Sequence, residues 1–204
     1  SLDAGAPDQG DGGFIETSAA KVTIEETATI STKAAEGNSG TWLIDPVDFT
    51  IAASGGDMTG ATLTGNLASN NVIIQSTSGG SGTAGDLNVN DTVSWSANKL
   101  TLNAQNNINV NADMTGTGTA SLALEYGQSA VAADNTSKFA TNNAAISLPA
   151  STTNLTTKQG SDGAVKNYTV ITELGAENSI TATDLQGMRG SLTTNYALGA
   201  DIDA

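Results

Sequence analysis

Short triplets of the form apolar–x–apolar recur along most of this chain, and they constrain its fold more than any other feature. The clearest are Leu87–Val89, Val93–Trp95, Leu100–Leu102, Ile108–Val110 and Leu122–Leu124. Side chains two residues apart point to the same face of a β-strand, so each triplet predicts a short strand with one apolar face. The intervals between triplets, roughly 6 to 12 residues, are rich in Asn, Asp, Gly and Ser, which favour turns.

Stacked coils account for three-residue apolar faces that are separated by polar corners. In a right-handed parallel β-helix, each coil contributes two or three short strands, and the next coil stacks about 4.8 Å above it. Each coil buries its triplets because a neighbouring coil covers them. Stacking also aligns equivalent residues, so asparagines at the corners are expected to form hydrogen-bonded ladders.

We therefore predict an all-β fold, a right-handed parallel β-helix (β-solenoid) with one short helix near the C-terminus. A β-sandwich is the alternative, because it also alternates apolar and polar residues between turns spaced about 8–12 residues apart. The Asn-rich corners and an aromatic content of only 4% favour the β-helix.

The composition of the 204 residues excludes several classes of protein. There is no cysteine for a disulfide framework or a thiolate metal site, and no histidine for a Ser-His-Asp triad or an imidazole ligand. A formal charge of −14 opposes binding to nucleic acid or to an anionic membrane surface, where Lys and Arg supply the affinity. Intrinsic disorder is also disfavoured, because 38% of the residues are hydrophobic and only 14% are charged.

The pattern divides the chain into three regions. Residues 1–127 are predicted to form β-helix coils, and residues 128–165, where triplets are scarce, to form irregular coils or a loop excursion. Residues 166–204 are predicted to form a strand, a helix and a strand that begin a further repeat. The predicted strands outside the triplets are Phe14–Ser18, Lys21–Ile24, Val47–Ile51, Asn71–Ile74 and Tyr168–Ile171.

Two other segments have distinct predictions. The best helix candidate is Ser179–Gly190, with Thr181 or Thr183 as its cap and Gly190 at its end. The Gly- and Ser-rich segment Ser78–Gly85 is predicted to be flexible.

The ends of the sequence suggest a piece of a longer exported polypeptide. No signal peptide is recognisable after Ser1, and no apolar run approaches the ~18 residues of a membrane-spanning helix. The alternation before Ala204 is expected to continue beyond it.

Two parts of the chain resemble a known family. The segments Gly12–Ser18 and Gly40–Ile51, with the more specific run Gly-Thr-Trp-Leu-Ile-Asp-Pro at residues 40–46, resemble a signature of large secreted exoproteins. These exoproteins are the filamentous-haemagglutinin-like family, which is exported by two-partner secretion and includes high-molecular-weight adhesins. The tail, Tyr168–Asp203, resembles the linker and short Gly-rich repeat that often follows.

The resemblance implies a β-helical exoprotein that is secreted and displayed at the surface of a Gram-negative bacterium. Its expected role is that of a structural and adhesive shaft segment in adhesion, aggregation or biofilm formation. The expected partners are glycans or proteins of host-cell or bacterial surfaces. The family's outer-membrane transporter would be engaged through an N-terminal secretion domain, for which this sequence shows no match.

A group of residues is predicted to have structural roles. Asp45–Pro46 is expected to form a turn that redirects the chain, with Trp42 packed beneath it. Phe49 and Ile51 share one face of an alternating strand, and Trp95 lies within another apolar alternation. Stacking of sugar rings on Trp42, Trp95, Tyr126, Tyr168 or Tyr196 is the functional alternative, and core packing is favoured for both tryptophans.

Carboxylates are the candidate metal ligands, and the metal they suggest is calcium. The candidates are Glu16, Glu25, Glu26, Asp45, Asp48 and Asp57, together with Asp201 and Asp203. No EF-hand loop or Gly-rich calcium repeat is present, so solvated carboxylates at turns are the favoured interpretation and no cofactor is assigned.

Catalysis is not predicted. Glycoside hydrolysis needs two carboxylates roughly 5 to 9 Å apart, and no motif points to such a pair. The seven basic residues are dispersed in sequence, so no cluster suggests a polysaccharide lyase. A carbohydrate-active β-helix enzyme and a ligand-capture module, with loops in residues 128–162, remain the alternatives. Self-association into filaments through open coil ends is a secondary hypothesis.

Overall fold

The computed structural model describes residues 1–77 and 84–203, so residues 78–83 of the segment predicted to be flexible lie outside the described residues. β-Strands dominate. The strands are β1 (Leu2–Asp3), β2 (Phe14–Ser18), β3 (Ile30–Ser31), β4 (Thr41–Asp45), β5 (Phe49–Ile51), β6 (Asn71–Gln75), β7 (Leu87–Val89), β8 (Val93–Trp95), β9 (Lys99–Asn103), β10 (Ile108–Val110), β11 (Met114–Gly116), β12 (Ser121–Tyr126), β13 (Phe139–Ala140), β14 (Ile146–Ser147), β15 (Ser151–Gln159), β16 (Lys166–Ile171) and β17 (Asn195–Leu198). Within the described ranges there is one α-helix, α1 (Gly60–Leu67), and one 3₁₀ helix, Gln186–Gly190.

The described strands form four sheets, and nearly all of the pairing is parallel. The largest sheet has eight strands in the order β2-β4-β6-β9-β12-β15-β16-β17. The others are a four-stranded sheet (β5-β7-β10-β13), a three-stranded sheet (β8-β11-β14) and the pair β1-β3. Among these strands, β15 and β16 form the one antiparallel pair. The prediction of a β-rich fold is confirmed, and the pairing is parallel apart from β15 and β16.

The chain visits the three larger sheets in rotation. After β6 in the eight-stranded sheet come β7 in the four-stranded sheet and β8 in the three-stranded sheet, and the chain then returns to the eight-stranded sheet as β9. The same order repeats through β12 and again to β15. We call one such passage a circuit. Each circuit lies beside the next, because its strands pair with those of its neighbour in all three sheets.

The apolar residues of successive circuits stack in register. The aligned side chains are Trp42, Val72, Leu100 and Leu122 in the eight-stranded sheet, Phe49, Leu87 and Ile108 in the four-stranded sheet, and Val93 and Met114 in the three-stranded sheet. All of them are buried and belong to one hydrophobic core. The triplets seen in the sequence are therefore the inward-facing positions of these short strands.

An asparagine ladder connects three circuits on the outside of this core. The Asn142 side-chain amide donates to Asn111 Oδ1 at 2.7 Å, and Asn111 donates to Asn90 Oδ1 at 2.6 Å. The two steps span 31 and 21 residues respectively, so circuits of different length meet at the same position. The predicted ladder is confirmed at this corner.

Helix α1 lies in a segment for which the sequence predicted no element. Its sequence, Gly-Ala-Thr-Leu-Thr-Gly-Asn-Leu, contains two glycines and two threonines, which are weak helix formers. The Thr59 hydroxyl caps its first turn by accepting from the Thr62 N–H. The helix packs beside β8, where the Ser94 N–H donates to Thr64 Oγ1 at 3.0 Å. Tertiary contacts therefore compensate for the low intrinsic helix propensity of this segment. The prediction of only one helix, near the C-terminus, was wrong because it omitted α1.

Two asparagines, one within α1 and one just after its end, join this part of the chain to the segment around β3. Asn70 is fully buried; its Oδ1 accepts from the Thr32 N–H at 2.8 Å, and its side-chain amide donates to Ile30 O at 2.8 Å. Asn66, one helical turn earlier, accepts from the Ile30 N–H at 2.9 Å. These side chains replace the backbone partners that a neighbouring strand would supply to residues 30 and 32.

Two local predictions were wrong. Lys21–Ile24 is not a strand, although Val22 is buried and the Ile24 N–H donates to Asp57 O. The predicted helix over Ser179–Gly190 is reduced to the 3₁₀ helix Gln186–Gly190, which ends at Gly190 as predicted. Neither threonine caps it, because its N-cap residue is Leu185, which makes no side-chain capping bond.

The region predicted to be irregular, residues 128–165, contains β13 and β14, which have two residues each, and the nine-residue β15. It adds another passage through the three larger sheets, since β13 pairs with β10, β14 with β11 and β15 with β12. The direction then reverses, because β16 runs antiparallel to β15.

Replacing Asn70 with alanine is expected to lower the free energy of unfolding by about 2–4 kcal/mol, because the Thr32 N–H and the Ile30 carbonyl would lose their partner in a buried site. The matched control is Asn142→Ala at the exposed end of the ladder, where the loss is expected to stay below about 0.5 kcal/mol. Urea unfolding of the two variants measures both values. Equal losses would contradict the buried role of Asn70.

Candidate functional site

The segment from β4 to β5 contains five of the residues predicted to have structural roles. Trp42 is fully buried, and its indole N–H donates to Thr17 Oγ1 at 3.1 Å. Asp45 ends β4 in the eight-stranded sheet, and Pro46, which is buried, follows it. Phe49 and Ile51 are the buried ends of β5 in the four-stranded sheet. The chain thus leaves one sheet at Asp45–Pro46 and enters another three residues later.

The aromatic side chains proposed as sugar platforms are engaged within the fold. Trp42 is fully buried and Trp95 is only 5% exposed, which leaves neither ring face free for a ligand. Tyr126 packs edge-on against Phe139, with the ring centroids 5.6 Å apart. The hydroxyl of Tyr168 contacts Thr157, and that of Tyr196 donates to Ser191 O.

Asp45 is the most unusual carboxylate of this segment. Its Oδ1 is buried and has no hydrogen-bond partner. Burial raises the pKa of Asp45, and the negative charge of Glu16 on the neighbouring strand β2 raises this pKa further. The ionised form is therefore disfavoured by the fold.

Two other candidate calcium ligands accept hydrogen bonds from backbone N–H groups. Asp48 Oδ1 accepts from the N–H of Gly85 at 2.7 Å and from that of Asp86 at 3.0 Å. Asp57 Oδ2 accepts from the Thr50 N–H at 2.9 Å. In the described part of the chain, no group of three or more carboxylates is arranged to hold a metal ion. The carboxylates that contact backbone donors thus contribute to turn structure.

Asp184 is the buried centre of a hydrogen-bonded cluster that the sequence pattern did not predict. Its Oδ2 accepts from the hydroxyls of Ser179, at 2.7 Å, and Thr181, and its Oδ1 accepts from the Gly187 N–H at 2.6 Å. The hydroxyl donors, Thr181 first and then Ser179, lower the pKa of Asp184. The Ser-x-Thr-x-x-Asp spacing was the available signal, but this segment was interpreted as a helix. The cluster organises the loop between β16 and β17.

A cleft of about 620 Å³ separates α1 from the segment around Thr29. Glu26 and Asp91 are the two carboxylates in its walls. Both oxygens of Asp91 are already occupied, one by the Gly60 N–H at 2.8 Å and the other by the Thr92 N–H at 2.9 Å. Of the two carboxylates in the cleft, Asp91 is therefore already hydrogen-bonded to the first residue of α1.

Comparison of the chain with family models, with curated proteins and with solved structures found no match. None of the helices within residues 1–77 and 84–203 is long and apolar enough to cross a membrane.

Replacing Asp45 with asparagine is expected to stabilise the protein near pH 7, because it removes a disfavoured charge beside Glu16. A raised pKa in the folded state means that wild type loses stability as the pH rises through that pKa. The advantage of Asp45→Asn should therefore disappear near pH 3, below the ordinary Asp pKa of about 3.9, where wild-type Asp45 is neutral.

Urea midpoints at the two pH values measure this difference. The control is Asp8→Asn, which removes the same formal charge from an exposed position. A pH-independent effect of Asp45→Asn, or an equal effect of Asp8→Asn, would show that the environment of Asp45 is not the cause.

Proposed function

We propose that the circuits form a right-handed parallel β-helix, and that the chain is a structural and adhesive shaft segment of a large secreted exoprotein. The observation that carries this proposal is the in-register stacking of apolar triplets in three sheets. In such a stack each circuit covers the apolar side chains of its neighbour, so the fold can be extended by adding circuits.

A stack of this kind suits a spacer. Backbone hydrogen bonds run from circuit to circuit, and the asparagine ladder adds side-chain bonds in the same direction. The formal charge of −14 favours solubility and mutual repulsion between neighbouring molecules. A spacer that holds a binding region away from a surface needs this combination of stiffness and solubility.

The resemblance to filamentous-haemagglutinin-like exoproteins supports the proposed location and partners. We place the chain outside a Gram-negative cell, in a polypeptide whose separate N-terminal domain engages an outer-membrane transporter. Its proposed partners are glycans or proteins of host or bacterial surfaces, and its proposed roles are adhesion, aggregation and biofilm formation. Self-association into filaments remains part of the proposal.

A non-catalytic role is favoured by the hydrogen bonding of Asp91. Of the two carboxylates in this cleft, Asp91 accepts from backbone N–H groups with both oxygens, and these bonds hold it against the start of α1. A two-carboxylate mechanism needs one group as acid and the other as base or nucleophile, and the bonds of Asp91 favour a structural role for it instead.

The β-helix proposal predicts that a complete circuit can be duplicated. A second copy of residues 87–107, inserted before Ile108, has the 21-residue length that separates Asn88 from Asn109. The longer protein is expected to fold, and its unfolding free energy should depend more steeply on urea because more surface is exposed.

Insertion of residues 87–96 alone is the control, because it supplies two strands without completing a circuit. This control is expected to be cut by protease within the insert and to leave the urea dependence unchanged. The same result for the complete circuit would contradict the proposal.

The adhesive role is tested with beads that carry the purified chain at equal density and are presented to epithelial cells, to bacteria and to a glycan array. The shaft proposal expects bead adhesion or bead aggregation without cleavage of any polysaccharide. Electron microscopy over a range of concentrations, with and without calcium, reports filament formation. Release of sugar fragments that stops in a Glu26→Gln variant would replace the proposal with the enzyme alternative.

A further inference from the structure

An apolar cavity lies where two of the sheets end and the third continues. The four-stranded sheet ends at β13 and the three-stranded sheet at β14, whereas the eight-stranded sheet continues through β16 and β17. Between them is a cavity of about 260 Å³, whose walls include Phe139, Ile146, Leu148, Leu155 and Val170. One side is closed by the Leu148 N–H, which donates to Gly199 O at 3.0 Å.

The walls define the chemistry of an occupant. None of the residues that line the cavity carries a charge, and most of them are apolar. The polar side chains of the walls include Thr157 and Tyr168, whose hydroxyl oxygens are 3.2 Å apart. A hydroxyl donates one hydrogen bond and accepts two, so this pair retains one donor and further acceptor positions for a ligand hydroxyl.

The size of the cavity sets the size of the occupant. Protein interiors contain few voids larger than a water molecule, and apolar cavities bind small apolar molecules. A volume of about 260 Å³ lies just below the pockets of about 300–1,000 Å³ that hold drug-sized ligands. An ionised ligand would lose part of its hydration against these apolar walls without gaining a counter-charge, which is unfavourable.

We propose that this cavity is a binding site for a small neutral molecule with an apolar body and one hydroxyl group, such as a phenol. The apolar body contacts Phe139, Ile146 and Leu148, and the ligand hydroxyl joins the pair formed by Thr157 and Tyr168. This site is separate from the shaft function and does not depend on it.

Calorimetric titration of the whole chain with three probes tests the site. p-Cresol is expected to bind at one site per chain, and toluene about three- to tenfold more weakly because it lacks the hydroxyl. p-Toluate, which carries a charge, is expected not to bind. Absence of saturable p-cresol binding, or equal affinity for all three probes, overturns the proposal.

Two sets of variants test whether p-cresol binds in this cavity. Ala197 lines it, so Ala197→Phe should fill the space and abolish p-cresol binding, whereas Ala130→Phe, at an exposed turn, should leave it unchanged. The pair Thr157→Val and Tyr168→Phe, combined in one protein, should retain toluene binding and remove the preference for p-cresol. This second readout does not depend on whether Ala197→Phe folds.

Sedimentation velocity without ligand examines the competing occupant, a second copy of this chain. The proposal expects any concentration dependence of the sedimentation coefficient to be the same for the wild-type chain, Ala197→Phe and Ala130→Phe. A dimer that is lost in Ala197→Phe but kept in Ala130→Phe would show that a second copy of the chain occupies the cavity, and this result would overturn the proposed ligand site.

Discussion

In-register stacking of parallel strands is the interaction on which the rest of this structure depends. Pairing of Leu87 with Ile108 places two apolar side chains together, and the same register places Asn88 beside Asn109. One alignment therefore builds the core and the side-chain ladder at the same time. Because both depend on register, a circuit can vary in length only at its turns, as the 21- and 31-residue steps of the asparagine ladder illustrate.

The stack of parallel strands is interrupted at two places, by α1 and by the reversal between β15 and β16. Helix α1 packs where a strand would otherwise continue the three-stranded sheet. Asn66 of the helix and Asn70, just after it, satisfy backbone groups on one side, and Thr64 does so on the other. At the other end, the reversal between β15 and β16 extends only the eight-stranded sheet. The proposed ligand cavity exists because the other two sheets stop there.

The carboxylates show how much the local partners of a charge matter. Asp184 is held by two hydroxyl donors and a backbone N–H, which lower its pKa, whereas burial and Glu16 raise the pKa of Asp45. Both residues are aspartates at turns or strand ends in an acidic chain. Their opposite shifts follow from the balance between hydrogen-bond donors, which prevail at Asp184, and burial with a neighbouring negative charge, which outweigh the Ser18 hydrogen bond at Asp45.

The amino-acid sequence alone predicted the β-rich class, most of the central strands and the asparagine ladder, because period-2 alternation and polar corners are local signals. It did not determine α1, because residues 60–67 are weak helix formers whose helix depends on contacts with β8 and β3. Nor did it determine the role of Asp184 or the cavity beside Tyr168. Those features depend on which distant segments meet, and only the tertiary structure decides that.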